Sequence, residues 1–394
     1  MREMKDSGIE WLGKIPSDWK ITRIGGVYSL RNTKVSDRDF PPLSVTNKGV
    51  VPQLESAAKT NAHDDRKLVK KGDFAINSRS DRRGSCGISN YDGSVSLINT
   101  ILAPNEEMHP KYYDWLFHTV QFGEEFYKWG HGIVDDLWTT NWNDMKRITI
   151  PMPCYKEQII IADFLDKRCN DIDALISDIQ KQIDVLKEYK KTIIDKETLK
   201  GKQVRFKYIA EIKSNLVSPL IFKQYQQIGP DSIEKGTGKI IIHRTVEEAT
   251  VDSWNHLFYE GQLIYSKIRP VLNKVAIAPY DGLCSADMYP IETKENTNYI
   301  KYAMLSSFFV NQVNMITKDR IKMPKINQNE LSNILVNIPE RHEQDIIANY
   351  LDDVCKEIDI NIEKKNLQIE ILLNYKKSIV FEYITGKKEV GHNV

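Results

Sequence analysis

The sequence predicts an α+β protein built from two copies of one unit, in which a mixed α/β domain is followed by a long helix. Residues 153–193 align with residues 339–379, and 19 of the 41 aligned residues are identical. A Tyr-Asp-Gly motif at 91–93 recurs at 280–282, in the segments that precede the two helices. A period of about 186 residues indicates duplicated domains rather than a solenoid. Duplication in turn implies a pseudo-twofold arrangement.

This repeat divides the chain into four segments. A first globular domain is predicted over 1–152, a first long helix over 153–201, a second globular domain over 202–337 and a second long helix over 338–394. The globular segments contain short apolar runs separated by turn residues, which is typical of mixed sheet and helix domains. The clearest predicted strands lie at 43–45, 74–76, 240–242, 263–265 and 275–278, and the clearest helical stretches at 112–129 and 299–316.

The overall composition excludes several classes of protein. A length of 394 residues and a hydrophobic content of 41% predict two or three domains with ordinary cores. The net charge of +1 means that nucleic-acid binding would have to rest on local clusters of basic residues. The five cysteines form no CxxC pair and are expected to be buried free thiols. A polar N-terminus and the lack of a long apolar run predict a cytoplasmic protein.

Each predicted helix carries a heptad stripe of apolar residues. The first begins after Pro153, with Glu157 at the positive end of its dipole, and Gly201 and Gly386 end the two helices. The first stripe comprises Leu165, Ile172, Ile179, Leu186 and Ile193 with Cys169, Ile176 and Ile183, and the second comprises Leu351, Ile358, Leu372 and Ile379 with Cys355, Ile362 and Ile369. The stripes predict that the helices pair as an antiparallel coiled coil. The alternative is that each helix only covers its own domain.

Motifs for catalysis are missing from the sequence. No phosphate-binding loop and no dinucleotide glycine fingerprint occurs, and the Asp-Phe-Pro-Pro at 39–42 lacks the aromatic residue that would stack on a flipped base. The eight histidines show no metal-ligand spacing. The sequence therefore predicts no catalytic residue, no metal and no cofactor in this chain.

Basic loops at equivalent places in the two copies are the candidate binding sites. Basic residues interleaved with Ser and Asn can neutralise phosphates and contact base edges. The candidates are Asn77, Arg79, Arg82 and Arg83 in the first copy, and Lys267, Arg269 and Lys274 in the second. The alternative for either loop is an ordinary solvated surface.

A second pair of candidate loops precedes the helices. The segment 129–142 is rich in tryptophan, and its indoles fit either a binding surface or the core. The segment 317–325 is basic, through Lys318, Arg320, Lys322 and Lys325. Four cations so close together repel one another unless an anionic group is nearby.

Several of these motifs together resemble a known family. The opening Gly-Ile-Glu-Trp-Leu-Gly-Lys-Ile-Pro-Ser-Asp-Trp at 8–19, the helix entries Pro-x-x-x-Glu-Gln at 153–158 and 339–344, and the ending Tyr-Ile-Thr-Gly-Lys at 383–387 are similar to the specificity subunit of type I restriction-modification systems. Ala-Asp-Phe-Leu-Asp at 162–166, with its counterpart Ala-Asn-Tyr-Leu-Asp, extends the likeness. The match covers nearly the whole chain in order.

The resemblance implies two target recognition domains, each of which reads one half of a split double-stranded DNA target. It further implies that the two long helices pack together and set the distance between the half-sites. Subunits of this family carry no catalytic residues. They dock two methyltransferase subunits, which use S-adenosylmethionine, and through them two restriction subunits, which use ATP and Mg²⁺.

Two other hypotheses compete with the DNA reader. One is a coiled-coil protein-interaction scaffold that does not read DNA, which weak dependence of binding on salt would reveal. The other is a stand-alone modification or restriction enzyme, which would be active without partners. Because the recognition domains of the family diverge, the DNA-contacting residues named above rest on the loop argument alone.

Overall fold

A computed structural model describes the chain over residues 2–55, 63–79, 84–133, 138–320 and 322–391.

The chain forms two compact units, and each takes part of both long helices. The first unit comprises Met1–Asp178 and Leu367–Val394, and the second comprises Ile179–Asn366. Both divisions therefore fall inside a helix. The four segments proposed from the sequence remain a prediction. They cut the chain between a domain and its helix, whereas the compact units each contain a domain and parts of both helices.

The two long helices span Tyr155–Thr198 and Arg341–Ile384, with 44 residues each. In the first unit the ring centroids of Phe164 and Tyr383 lie 4.5 Å apart, and Asp173 lies beside Lys376. As the residue number rises along the first helix, its partner's number falls. The helices therefore pack antiparallel, as the heptad stripes predict.

The second unit continues this antiparallel pairing. Gln182 Oε1 accepts a hydrogen bond from Lys365 Nζ at 2.5 Å, and Lys190 Nζ lies 2.8 Å from Asp359 Oδ1. Lys365 stands in the second helix where Ile179 lies in the first, so it has a polar partner at this position of the stripe. Along both helices the apolar residues of the predicted stripes are buried or half-buried: Leu165, Ile172, Ile176, Ile179, Ile183, Leu186, Ile193, Leu351, Ile358, Ile362, Ile369, Leu372 and Ile379.

The globular domain of the first unit is built on antiparallel sheets. One has four strands in the order Cys86–Ile88, Phe74–Asn77, Asn99–Pro104 and Tyr28–Leu30, and another has three in the order Gly93–Ser96, Arg66–Val69 and Lys34–Val35. Further two-stranded pairs are Met4–Asp6 with Lys14–Pro16, Lys20–Arg23 with Thr149–Met152, and Leu43–Thr46 with Gly49–Pro52.

The second domain repeats this arrangement with its own residues. Its first four-stranded sheet has the order Ala210–Ile212, Met288–Thr293, Leu263–Ser266 and Val275–Ile277. The second has the order Leu216–Val217, Asn255–Phe258, Gly282–Cys284 and Gln226–Ile228, with the last pair parallel. Lys202–Arg205 pairs with Leu335–Ile338. The duplication read from the sequence is thus a duplication of fold.

The predicted helical stretches are each two helices. In the first unit Pro110–Phe117 is followed by Val120–Lys128, and in the second Thr297–Leu305 is followed by Ser307–Thr317. Short helices also lie at Ile24–Val27, Trp142–Met145 and Gln328–Ser332, and single 3-10 turns at Phe206–Tyr208, Pro219–Ile221 and Pro270–Leu272. Thr119 and Ser306 make the two breaks, because each hydroxyl accepts a hydrogen bond from the first turn of the next helix.

Two expectations from the sequence are wrong. The run Ile240-Ile-Ile is not a strand: beyond one bridge between Ile233 and Ile240 it is irregular, and Ile241 and Ile242 are exposed. The apolar run misleads because only Ile240 packs against a buried cluster. All five thiols are free, but Cys154 is exposed, since it precedes the first turn of the long helix.

Candidate nucleic-acid interface

In the first unit the two predicted loops lie against each other. Arg79 and Thr139 form an antiparallel bridge, and the Thr140 N–H donates to the Ser78 carbonyl at 3.0 Å. Ser78 directly follows the strand Phe74–Asn77, which lies inside the larger sheet. The sheet therefore fixes the point from which both loops project.

The second unit makes the same contacts with equivalent residues. Ile268 and Lys325 form the bridge, and the Ile326 N–H donates to the Lys267 carbonyl at 2.9 Å. The Arg269 N–H adds a bond to the Pro324 carbonyl at 2.8 Å. Two loops about 60 residues apart in sequence thus form one surface in each unit.

Arg79 is the exposed cation of this surface in the first unit. Its backbone N–H donates to Asn77 Oδ1 at 3.1 Å, so Asn77 fixes the turn rather than facing solvent freely. Within the described part of the chain, no carboxylate pairs with the Arg79 guanidinium. The other two candidates of this loop, Arg82 and Arg83, lie outside the described residues.

Arg269 is the exposed cation of this surface in the second unit, one residue beyond Ile268, which takes the bridge position of Arg79. Its backbone is left-handed, with φ of 43°, and it precedes the turn Pro270–Leu272. Such a conformation is uncommon for a residue with a long side chain and costs about 1 kcal/mol or more. The buried Pro270 and the bond to Pro324 hold it in place. Among the described residues, Arg269 has no side-chain partner.

Some of the remaining basic candidates bind oxygen atoms of the protein, and others have no partner among the described residues. Lys267 Nζ donates to the Ala286 carbonyl at 2.6 Å, and Lys274 Nζ donates to the Pro230 carbonyl at 2.5 Å. Lys325 lies 3.0 Å from Asp287 Oδ1. Lys318 and Lys322 are exposed and have no partner in the described ranges.

Arg320 is among the candidates that bind oxygen atoms of the protein. Its guanidinium binds the Glu330 carboxylate and the Lys325 carbonyl, and the bond to Glu330 raises the pKa of Arg320 and lowers that of Glu330. Asp287 and Glu330 therefore supply much of the negative charge that the basic segment 317–325 requires. The assignment of these residues to DNA contact remains a prediction.

The tryptophans of segment 129–142 pack on the protein side of this surface. Trp138 Nε1 donates to the Tyr127 carbonyl at 3.0 Å, and Trp129 Nε1 donates to Glu125 at 2.9 Å. Trp129 and Trp142 also pack against the main core of the first unit. These contacts favour the interpretation that the tryptophans of this segment belong to the core rather than to a binding surface.

Buried glutamines attach each globular domain to its long helix, which the sequence did not reveal. Gln158 Oε1 accepts from the His109 N–H at 2.8 Å, while Nε2 donates to the Pro153 carbonyl at 2.9 Å. Gln344 makes the equivalent bonds to Asn296 and Pro339, both at 3.0 Å. Their identity in the two repeats was the available signal.

Aspartates about two turns further along the helices add a second attachment. Asp166 accepts hydrogen bonds from Trp115 Nε1 at 2.9 Å and Lys111 Nζ at 2.5 Å. Asp352, at the equivalent position, accepts from the Tyr302 hydroxyl at 2.6 Å and lies 3.2 Å from Lys301 Nζ. Each recognition domain is thereby fixed on the helix segment of its own unit.

Within the described ranges, no group of three potential metal ligands occurs, and no helix is long and apolar enough to cross a membrane.

Comparison with known proteins identifies the class. Residues 16–185 and 189–371 each match the family model described as the type I restriction modification DNA specificity domain. The chain therefore belongs to this family and carries two copies of its domain. The family favours a DNA specificity subunit over an interaction scaffold that does not read DNA.

Named relatives agree with this assignment. The chain is 28% identical to the Type I restriction enzyme EcoDI specificity subunit of Escherichia coli, with 95% of this chain and 90% of that protein covered. It is 24% identical to the Type I restriction enzyme MjaVIII specificity subunit of Methanocaldococcus jannaschii, with 96% and 94% covered.

Solved structures share the fold. One is a chain from the study "Structural basis underlying complex assembly and conformational transition of the type I R-M system", with a TM-score of 0.76, 12% identity, and 95% of this chain and 99% of that chain covered. Another is the HsdS subunit from Thermoanaerobacter tengcongensis, with a TM-score of 0.53, 13% identity, and 95% and 98% covered.

Proposed function

We propose that each unit reads one half of a bipartite double-stranded DNA target and that the long helices set the distance between the halves. The observation that carries this proposal is the recurrence of one loop pair, joined by the same backbone bonds, in both units. Each pair presents one exposed arginine without a partner among the described residues, Arg79 in the first unit and Arg269 in the second.

The chemistry of these arginines suits base recognition. A guanidinium presents donors in a fixed fork and can bind guanine O6 and N7 together. The fixed loop backbone limits the conformational entropy that binding removes. Lys318 and Lys322, which are exposed in the segment that pairs with the Arg269 loop, supply charge for phosphates. Base contacts thus come from the arginines, and backbone contacts come from the lysines.

The subunit acts in this proposal as a non-catalytic scaffold. It docks two methyltransferase subunits, which bind S-adenosylmethionine, and through them two restriction subunits, which bind ATP and Mg²⁺. Exposed apolar side chains recur on the long helices at equivalent positions, Val185 with Ile371 and Tyr189 with Tyr375. Two copies of one surface support two copies of one partner. Its DNA target places this work in the cytoplasm of a bacterium or archaeon.

Base-by-base mapping of DNA methylation tests the proposal. The chain is expressed with a candidate methyltransferase subunit in a host that lacks such a system. The expected result is a split motif with a modified adenine in each half, and no modification when either protein is left out. A complex that forms stably but methylates a single continuous motif would contradict the assignment of one unit to each half-site.

A further inference from the structure

A large groove lies in the first unit between its recognition domain and the two long helices. Its volume is about 1310 Å³. Segments 47–50 and 109–121 of the domain line one wall, and Asp166, Asp173 and Phe381 of the helices line the other. Nothing within the described part of the chain fills it.

The equivalent groove of the second unit is occupied by the protein itself. The turn at 236–239 enters it, and only about 300 Å³ remains. Lys239 Nζ lies 2.8 Å from Asp359 Oδ2, on the long helix. At Gly238, an added Cβ would lie 3.2 Å from Leu305 Cδ1, so the turn packs closely against the wall. A small residue followed by a lysine is what closes this groove.

The first unit has the same acceptor without the same donor. Asp173 is equivalent to Asp359 in the repeat, and among described residues Lys376 is its only partner. The Asp173 side chain is 54% exposed, whereas that of Asp359, held by two lysines, is 20% exposed. The turn at 47–50 occupies the corresponding place in the chain, but its exposed Lys48 pairs with no described carboxylate.

A second acceptor faces the open groove. Gln158 and Gln344 bind His109 and Asn296, which aligns the following helices so that Asp114 stands where the second unit has Lys301. The buried Oδ1 of Asp114 has no hydrogen-bond partner in the described ranges. His118 Nδ1 lies 3.6 Å from this Oδ1, so an acidic group beside a histidine stands where the filled groove has a lysine.

We propose that the groove of the first unit docks a basic turn from another protein, in which a small residue is followed by a lysine or arginine. That cation pairs with Asp173, as Lys239 pairs with Asp359, while Asp114 accepts a second donor. The partner thereby supplies to the first unit the cation that Lys239 supplies within the second unit. This docking is independent of the reading of DNA by the loops.

A peptide with the sequence of residues 233–241, Ile-Glu-Lys-Gly-Thr-Gly-Lys-Ile-Ile, is the probe. The full chain is labelled with ¹⁵N at tryptophan, and the indole N–H resonance of Trp115, which lines the groove, is assigned by its loss in Trp115→Phe. Titration of the peptide to millimolar concentration should shift this resonance with saturation. Because a charge-assisted pair is lost, Asp173→Asn should weaken binding about tenfold.

Matched variants make the test specific. Asp359→Asn, in the filled groove, should leave the peptide affinity unchanged, and replacement of the second lysine of the peptide by norleucine should weaken binding as Asp173→Asn does. The proposal is overturned if Trp115 does not shift, or if Asp173→Asn binds as tightly as the parent chain. It is also overturned if only Lys48→Ala binds the peptide, since the protein's own turn would then occupy the groove in solution.

Discussion

At the scale of single residues, the attachment of each recognition domain depends on a buried side chain that makes two hydrogen bonds to the backbone at once. Gln158 and Gln344 are almost fully buried, and each satisfies one backbone N–H and one backbone carbonyl. A backbone group that loses such a partner inside a protein cannot bind water instead, and leaving it unpaired costs free energy. These glutamines therefore matter more to stability than their neutral side chains suggest.

Gln158→Leu should lower the free energy of unfolding by about 2 to 6 kcal/mol, because it leaves one buried and one partly buried backbone group unpaired at about 1 to 3 kcal/mol each. Gln344→Leu should do the same in the other unit. Urea denaturation followed by circular dichroism measures the loss. The control is Gln180→Leu, whose exposed side chain reaches only Asp184, and equal losses in Gln158→Leu and the control would refute the argument.

Gly386 permits a close contact that no other residue allows. An added Cβ would lie 2.5 Å from Pro16 Cδ, and the backbone φ is 70°. Gly386→Ala should therefore destabilise the chain by about 2 to 4 kcal/mol, through strain at the left-handed backbone and through overpacking. Gly236→Ala, with φ of 67° and open space around the new methyl, should show only the smaller backbone effect. A difference of melting temperatures between the two variants tests this.

At the scale of elements, the helices pair through the same ions in both units. Asp173 binds Lys376 and Asp359 binds Lys190, so each aspartate of one repeat pairs with the lysine of the other. The pairs differ in burial, because Lys190 and Asp359 are more enclosed and Lys239 adds a third charge. The second pair should therefore contribute more to stability than the first.

Removal of the Asp359 charge should have an effect that depends on pH. Burial acts to raise the pKa of Asp359, but hydrogen bonds from Lys190 and Lys239 outweigh it and lower the pKa below its ordinary value. A lowered pKa stabilises the fold above the ordinary pKa, and this contribution is lost as the pH falls through the lower value. Asp359→Asn should thus destabilise the chain by about 1 to 2 kcal/mol at pH 7.

The difference between Asp359→Asn and the parent chain should shrink below about pH 4. Urea midpoints measured at pH 7 and pH 3 test this dependence. Asp173→Asn, at the more exposed site, should cause a smaller loss at pH 7. A loss for Asp359→Asn that is the same at both pH values would show that its charge is not what stabilises the pair.

The helices were predictable because their signal is periodic. Heptad spacing and the repeat identified the apolar stripe on each helix, whereas the bond from Lys365 to Gln182 is known only from the structure. The loops carry no such period. Arg79 and Thr139 were recognised as parts of separate candidate loops, but their bridge joins residues 60 apart and depends on the sheet between them. Likewise, nothing in the run at 240–242 distinguishes a strand from a loop that leaves two isoleucines exposed.

At the scale of the whole molecule, duplication makes each unit an internal control for the other. The two arginine-bearing loop pairs occupy equivalent places, yet their surroundings differ: Arg79 follows an Asn77 turn, and Arg269 sits in a strained left-handed turn. Equivalent frames with different side chains suit two half-sites of different sequence. A change in one loop should therefore leave the other half-site intact.

Arg79→Ala should relax the sequence requirement in one half of the target only, and Arg269→Ala in the other half only. Loss of a bidentate base contact costs about 1 to 3 kcal/mol of discrimination at one position. Genome-wide methylation mapping of each variant, expressed with the methyltransferase subunit, measures which motif position becomes degenerate. Lys322→Ala is the control, since loss of a phosphate contact should weaken methylation evenly without changing the motif. If Arg79→Ala degraded both halves equally, the assignment of one unit to each half-site would be wrong.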